Sequence, residues 1–454
     1  MNKKELRSTF AKYAFFNILS SLGVSFYILI DTFFISLGMG ANGLAALNLC
    51  LPVFNFINGF GLMLGMGGGS KFSMLYCRTE RSETDKIFTN AFCAAVGIGA
   101  VFLCMGLFCS EGLTVLLGAD STVFEEAHSY LKTVLLFSPA FILNNLLICF
   151  MRNDGAPRLA MAGVLGSSFA NIILDSLFIF VLDWGMQGAA LATCLSPLIS
   201  MAIMGIHFVT GWNAFRLRIV RPSLRIIRTI VSLGMHTFVT ECSGGVVIIV
   251  FNFVIYRLCG NTGIAAYGVI ANLAIVFTAL FTGLSSGVQP LLCKYHGSRD
   301  NASMRYLLRL ATHSALILAL ITYVAVCMNS LELVAVFNGK NDMELANIAQ
   351  NGIGLYFLFM PFMGINAVMS VFFTSSEKPL PSQIFSLMRG VILVIPLAFL
   401  FYKLRSVAGI WLTVPIAEGL TAVTAVIVFV CSQRSVHLSV GQPLTQKNTQ
   451  QIRQ

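Results

Sequence analysis

The chain has 454 residues, 57% of them hydrophobic and only 11% charged, with a mean hydropathy of +0.82 and a formal net charge of +10. Soluble domains carry about a quarter charged residues, so this composition excludes a chain that faces water on every side and places it in a bilayer. The basic residues are scattered over many short loops, which argues against a nucleic-acid footprint and makes the positive excess a topology signal.

Twelve apolar stretches predict transmembrane helices, at 13–37, 45–70, 88–110, 131–150, 160–182, 188–209, 230–256, 264–290, 307–328, 353–374, 384–402 and 408–431. Each is near or above the roughly 20 residues a helix needs to cross a bilayer, whereas porin strands would give short alternating segments. The first run carries Asp31 and ends in SLGMG without a small-x-small cleavage site, so it is expected to stay as a helix rather than leave as a signal peptide. Lys3, Lys4, Arg7 and Lys12 precede the first span, Lys71, Arg78, Arg81 and Lys86 follow the second, and Arg152 and Arg158 follow the fourth. Arg216, Arg218, Arg221, Arg225 and Arg228 follow the sixth, and Lys294, Arg299, Arg305, Arg309, Lys378, Arg389, Arg434, Lys447 and Arg453 continue on the same side. Only Lys132, Arg257, Lys340, Lys403 and Arg405 fall on the other. The positive-inside rule then puts both termini in the cytoplasm.

The basic stretch 211–230, GWNAFRLRIVRPSLRIIRTI, divides the spans into two sets of six that resemble each other. GLAALNLCLP at 43 pairs with GIAAYGVIAN at 263, GAP at 155 with EKP at 377, and GAALAT at 188 with GIWLTV at 409. The nearly constant offset predicts two homologous bundles, and an even number of spans in each makes the repeats parallel, related by a pseudo-two-fold axis along the membrane normal. The expected fold is thus an all-α integral membrane protein of twelve helices in two six-helix bundles. Its expected parts are an amino-terminal lobe at 1–210, a basic connecting segment at 211–230, a carboxy-terminal lobe at 231–433 and a polar cytoplasmic tail at 434–454. A cleft between two such bundles suits alternating access by a secondary transporter.

Acids inside spans mark functional sites by default, because an unpaired charge in hydrocarbon is costly. Asp31 lies in the first span; Asn171 and Asp175 are four apart on the fifth, so they share a helix face; Thr193 follows in the sixth. Two carboxylates at close range repel, and either a shared proton or a sodium ion with the neutral oxygens of Asn171 and Thr193 relieves that repulsion. In the second half, His236 and Glu241 lie on the seventh span and Glu418 on the twelfth, as possible substrate or proton contacts. GLMLGMGGGS at 61–70 allows close helix approach, and Pro52, Pro139, Pro361 and Pro415 can bend their spans. The twelve cysteines contain no CxxC pair and read as small apolar packing residues, so neither structural metal nor disulfide is expected.

The segments DTFFISLGMGANGLAALNLCLP (31–52), FMRNDGAPRLAM (150–161), NIILDSLFIF (171–180), GMQGAALAT (185–193) and GVQPLLCKYHGSRD (287–300) resemble those of the multidrug and toxic compound extrusion family, in its bacterial branch. The resemblance runs from about residue 10 to 431. It implies two six-helix lobes in a V, a bacterial cytoplasmic membrane, no cofactor, and export of organic cations or amphipathic drugs in exchange for sodium ions or protons. A chain of this kind is expected to act as a monomer among membrane lipids. The resemblance places the coupling site on Asp31, Asn171, Asp175 and Thr193. Some members use a seventh-span glutamate, at Glu241 here, although the LGxP pattern ahead of it reads LGMH with His236 in place of proline. The nearest rival is a flippase for lipids or lipid-linked sugars, which would be expected to line its cleft with more basic residues. A membrane enzyme would show a nucleophile with its base or a metal motif such as HExxH, and a channel would more naturally repeat a pore segment around several subunits.

Overall fold

The computed structural model describes residues 3–77, 81–211, 213–337 and 343–440, and among these it contains only helices and their connections. Arg78, Lys340, Lys447 and Arg453 of the predicted charge pattern lie outside them. Among the described residues eleven helices are long and apolar enough to cross a membrane, and a bent pair, Phe124–Leu136 and Ser138–Asn153, makes a twelfth span when taken as one, with a 52° bend. The bend has a local cause. Phe137 ends the first helix, the Ser138 hydroxyl donates back to the Leu135 carbonyl at 2.7 Å, and Pro139 occupies the first turn of the second, where its missing N–H costs nothing. Pro361 likewise stands in the first turn after a 3-10 segment, Phe357–Phe359, whereas Pro52 and Pro415 lie inside continuous helices.

The internal repeat is written in the backbone. The first and second spans, Lys3–Gly40 and Asn42–Tyr76, turn at Gly40, with φ 63° and ψ −148°, a region open essentially to glycine alone. Leu224–Gly260 and Thr262–Gly297 turn in the same way at Gly260, with φ 63° and ψ −155°. Left-handed residues recur in step at Gly155 and Glu377 and at Asp183 and Arg405. Each lobe's fifth span, Pro157–Val181 and Pro379–Lys403, contains a π-helical turn, Ser176–Val181 in one and Met388–Ile392 in the other. Large apolar side chains such as Phe15, Phe33, Leu37 and Ile317 remain on the outer surface, as a lipid-facing belt requires.

Two buried cores lie within the halves, one running from Ile35 to Ile230 and the other from Phe251 to Ala417. At the basic end the halves trade contacts. Leu6, Phe10 and Ala14 of the first span pack with Leu284, Val288 and Leu291 of the eighth, while Ile230 of the seventh enters the amino-terminal core. Glycines permit this approach: a Cβ on Gly67 would lie 1.9 Å from the Ile230 carbonyl oxygen, and one on Gly234 1.9 Å from that of Met63. Gly283 and Gly287 meet the backbone at Ile18 and Tyr13 in the same way across the pseudo-two-fold axis. The Gln289 amide donates to Ser70 at 2.6 Å and accepts from Asn153 at 3.2 Å, and Lys71 pairs with Glu377 at 2.5 Å. The basic end is therefore closed.

The connecting segment is helical from Leu224 onward, and its residues 213–223 form neither helix nor strand. That part is bonded to the amino-terminal half. Asp85 accepts from the Arg216 N–H at 2.9 Å and pairs with the Arg218 side chain at 2.7 Å, the Thr89 hydroxyl accepts from the Arg218 N–H, and Asn90 accepts from the Ser223 N–H at 2.6 Å. Asp154 accepts from the Ala214 N–H and from His207 Nε2, and Phe215 is enclosed by Phe72, Phe88, Phe150 and Phe208. Asp85→Ala removes the buried carboxylate that holds the Arg216 N–H and the Arg218 side chain, at a cost of about 1–3 kcal/mol. The variant is expected to be cut by trypsin after Arg216 and Arg218 several times faster than the parent, as followed by intact-mass analysis.

Arg389 departs from the sequence expectation. The charge pattern groups it with the basic loops, but it stands ten residues inside the eleventh span, on the π-helical turn, with its side chain turned to Glu418 rather than to water. The topology signal survives without it, because Arg158, Arg216, Arg218, Arg221, Lys294, Arg299 and Lys378 on that side stand in loops or in the end turns of helices.

Candidate ion-coupling and substrate site

The first, fifth and sixth spans pack together in the amino-terminal half and bring the predicted polar residues into its interior. Asp31, Asn171, Asp175 and Thr193 are 7%, 0%, 0% and 4% exposed. Asp31 and Asp175 face each other within hydrogen-bonding reach, so the pair bonds directly only if one of the two carries a proton. Asn171 lies one turn before Asp175 on the same buried face. Both oxygens of Asp175, Oδ1 of Asp31, both amide atoms of Asn171 and the Thr193 hydroxyl are buried without a hydrogen-bond partner. Buried polar groups are nearly always partnered, so a cluster of this size is suited to hold a proton or a cation. Tyr27 and Tyr130 lie near the pair, and nothing in the sequence marks either beyond an ordinary aromatic in a span.

A cavity of about 430 Å³ lies beside this cluster and is lined from both halves. Thr193, Tyr27, Ser167 and Ser168 contribute from the amino-terminal side and Glu241, Thr278 and Ser286 from the other, so the cavity reaches the wall of the carboxylate site. Asn55, Asn58, Asn144 and Asn145 add amides, with Asn145 donating to Asn58 at 2.9 Å. The doublet at 144–145 and the NFIN stretch at 55–58 were the readable signals for this lining. Glu241 faces the cavity where it packs beside Gly59 of the second span. His236 stands apart from it, bonded to Thr237 and Thr374 and to the Leu233 carbonyl. Glu418 lines a second cavity within the carboxy-terminal half, where Asn366 donates to it at 2.6 Å and Arg389 lies 3.6 Å away. The structure thus gathers Asp31, Asn171, Asp175 and Thr193, places Glu241 across the central cavity, and separates His236 and Glu418 from both.

A two-lobed, twelve-span helical membrane protein with buried acids beside a central cavity has the architecture of a secondary transporter. The MatE family model matches residues 17–177 and again 237–400, one match in each half, and the chain belongs to that family. It is 27% identical over 413 residues to the multidrug export protein MepA of Staphylococcus saprophyticus subsp. saprophyticus, covering 90% of each chain. It is 25% identical over 404 residues to MepA of Staphylococcus aureus strain MRSA252, covering 88% of each. Among solved structures it is similar to an outward-facing multidrug resistance MATE family transporter of the MOP superfamily, with TM-score 0.87 at 20% identity over 92% of this chain and 94% of that one. A MATE crystal structure in the bent conformation gives TM-score 0.87 at 18% identity over 96% and 97%. These likenesses establish the two-bundle fold related by an axis along the membrane normal, as the parallel repeat predicts.

Proposed function

We propose that the chain is a secondary active exporter of organic cations and amphipathic drugs, driven by exchange for sodium ions or protons at Asp31, Asn171, Asp175 and Thr193. The observation that carries this reading is the pair of facing carboxylates, sealed in one lobe with unpaired polar neighbours, against the wall of a cavity shared by both lobes. Full-length likeness to drug exporters supports the cargo class. The ion or proton is cargo rather than a resident cofactor, and the chain transports rather than catalyses.

The parts follow from this reading. The lobes are residues 1–210 and 231–433, joined by 211–230 and followed by a tail at 434–454. The protein acts as a monomer in the bacterial cytoplasmic membrane, surrounded by lipid, with both termini and the basic end in the cytoplasm. The closed basic end then describes an outward-facing state. A coupling ion reaching the carboxylates from outside neutralises them and alters the packing of the first, fifth and sixth spans around the cavity, which weakens drug binding. Linkage requires that bound drug weaken ion binding by the same factor. Glu241 supplies a negative charge on the opposite wall for the drug's cationic group, while His236 has no access to the cavity.

The test is efflux of a fluorescent organic cation from proteoliposomes under separately imposed sodium and pH gradients. Transport driven by one gradient identifies the coupling ion. No transport under either gradient, together with movement of a labelled lipid, would move the assignment to a flippase.

A further inference from the structure

The cavity inside the carboxy-terminal half, about 260 Å³, differs in chemistry from the central one. Its far walls are aromatic and apolar, including Tyr267, Tyr356 and Phe359, and its polar end is formed by Thr240, Arg389 and Glu418. An arginine at this depth in a span is costly and ordinarily has tight partners. Arg389 does not. Its Nη2 donates to the Thr240 hydroxyl at 3.4 Å, and its Nη1 stands 3.6 Å from Glu418 Oε1, is buried and makes no hydrogen bond. Glu418 is held elsewhere: Asn366, wholly buried, donates to its carboxylate at 2.6 Å and to its backbone carbonyl at 2.9 Å. The π-helical turn Met388–Ile392 sets the direction in which Arg389 projects, and Asn366 sets the position of Glu418. Neither closes the remaining gap.

We propose that this cavity binds the carboxylate of amphipathic aromatic acids, with the Arg389 guanidinium as its anchor. A guanidinium carries a planar fork of donors that matches a carboxylate in two parallel hydrogen bonds, and Nη1, enclosed beside Glu418 in this conformation, provides one arm of that fork once Arg389 turns to the ligand. The aromatic walls receive the ring. A cationic ligand entering the same space meets Arg389, and Glu418 opposes every added negative charge, so an acid with a single charge is opposed less than a doubly charged phosphate. The proposal deepens the export reading and rests on it for its consequence: an amphoteric drug can present its ammonium group to the acids of the central cavity and its carboxylate to Arg389.

Its test needs no gradient, so its failure is separate from failure of the export reading. Purified protein in lipid nanodiscs is titrated with dansylglycine and with its methyl ester, read by energy transfer from tryptophan. Trp411 stacks with Tyr267 at 6.3 Å and so reports on this cavity. The acid is expected to bind at least about tenfold more tightly than the ester, the effect of one charge-assisted hydrogen bond. Glu418→Gln, which removes the competing carboxylate, is expected to widen that preference. The charge-neutral double variant R389Q/E418Q, which leaves no buried charge unpaired, is expected to abolish it. Equal binding of acid and ester by the parent, a preference that shrinks in Glu418→Gln, or one that survives in R389Q/E418Q overturns the proposal.

Discussion

Asp175→Asn is expected to abolish ion-coupled efflux while leaving drug binding measurable. Asparagine keeps the shape of the side chain but removes one of two facing charges, so the site no longer needs a proton or sodium ion to relieve repulsion. Coupling between two sites typically amounts to about 1–3 kcal/mol, so the coupling ion should weaken drug binding to the parent by about 5–150-fold. In Asp175→Asn, and equally in Asp31→Asn, that ion dependence should vanish. Drug affinity measured with and without sodium, and across a pH series, reads the effect directly. Asp183→Asn serves as a control, because Asp183 is exposed in a loop and its φ of 53° is one that asparagine adopts readily. Ion-dependent drug affinity that persists in both Asp31→Asn and Asp175→Asn would remove the carboxylate pair from the coupling mechanism.

The site was legible in the sequence to the extent that its signals were local. A lone acid in an apolar run, and an Asn-x-x-x-Asp pair on one helix face, are expensive features with few structural explanations, and the fold does bury them together. The spans were legible because hydropathy is a property of short windows, and the repeat because its offset recurs in GLAALNLCLP, GAP and GAALAT. Arg389 falls within the predicted span 384–402, yet the charge pattern groups it with the loops, because the positive-inside rule treats all arginines alike and does not mark one that faces an intramembrane glutamate. Tyr27 and Tyr130 gave no signal because their relevance lies entirely in what they pack against. The docking of the connecting segment was illegible for the same reason, since Asp85 and Arg216 are 131 residues apart. The glycines of GLMLGMGGGS announced close packing but not its partner, and that partner makes them part of a gate.

Gly67→Ala is expected to shift the protein toward a state open at the basic end. The new Cβ would lie 1.9 Å from the Ile230 carbonyl oxygen, a backbone atom that no side-chain rotation can move away. Overpacking of this kind costs about 1–3 kcal/mol, and the cost falls only on the state in which the second and seventh spans touch. The ratio of open to closed molecules should therefore rise by about 5–150-fold, with little loss of fold stability in the state that parts these helices. Spin labels at Arg158 and Arg305, exposed positions at the basic end of opposite lobes, in a cysteine-free background read this as growth of a longer-distance population. Gly234→Ala, which meets the Met63 carbonyl oxygen at 1.9 Å, should act alike, and an unchanged distance distribution in both variants would count against the gate. The Lys71–Glu377 ion pair crosses the same seam, but its side chains are 24% and 40% exposed. A solvated pair contributes at most about 1 kcal/mol and is screened by salt. Lys71→Ala should therefore shift the distances less than either alanine at a glycine, because closure at this end is governed by how near two backbones can come and only secondarily by charge.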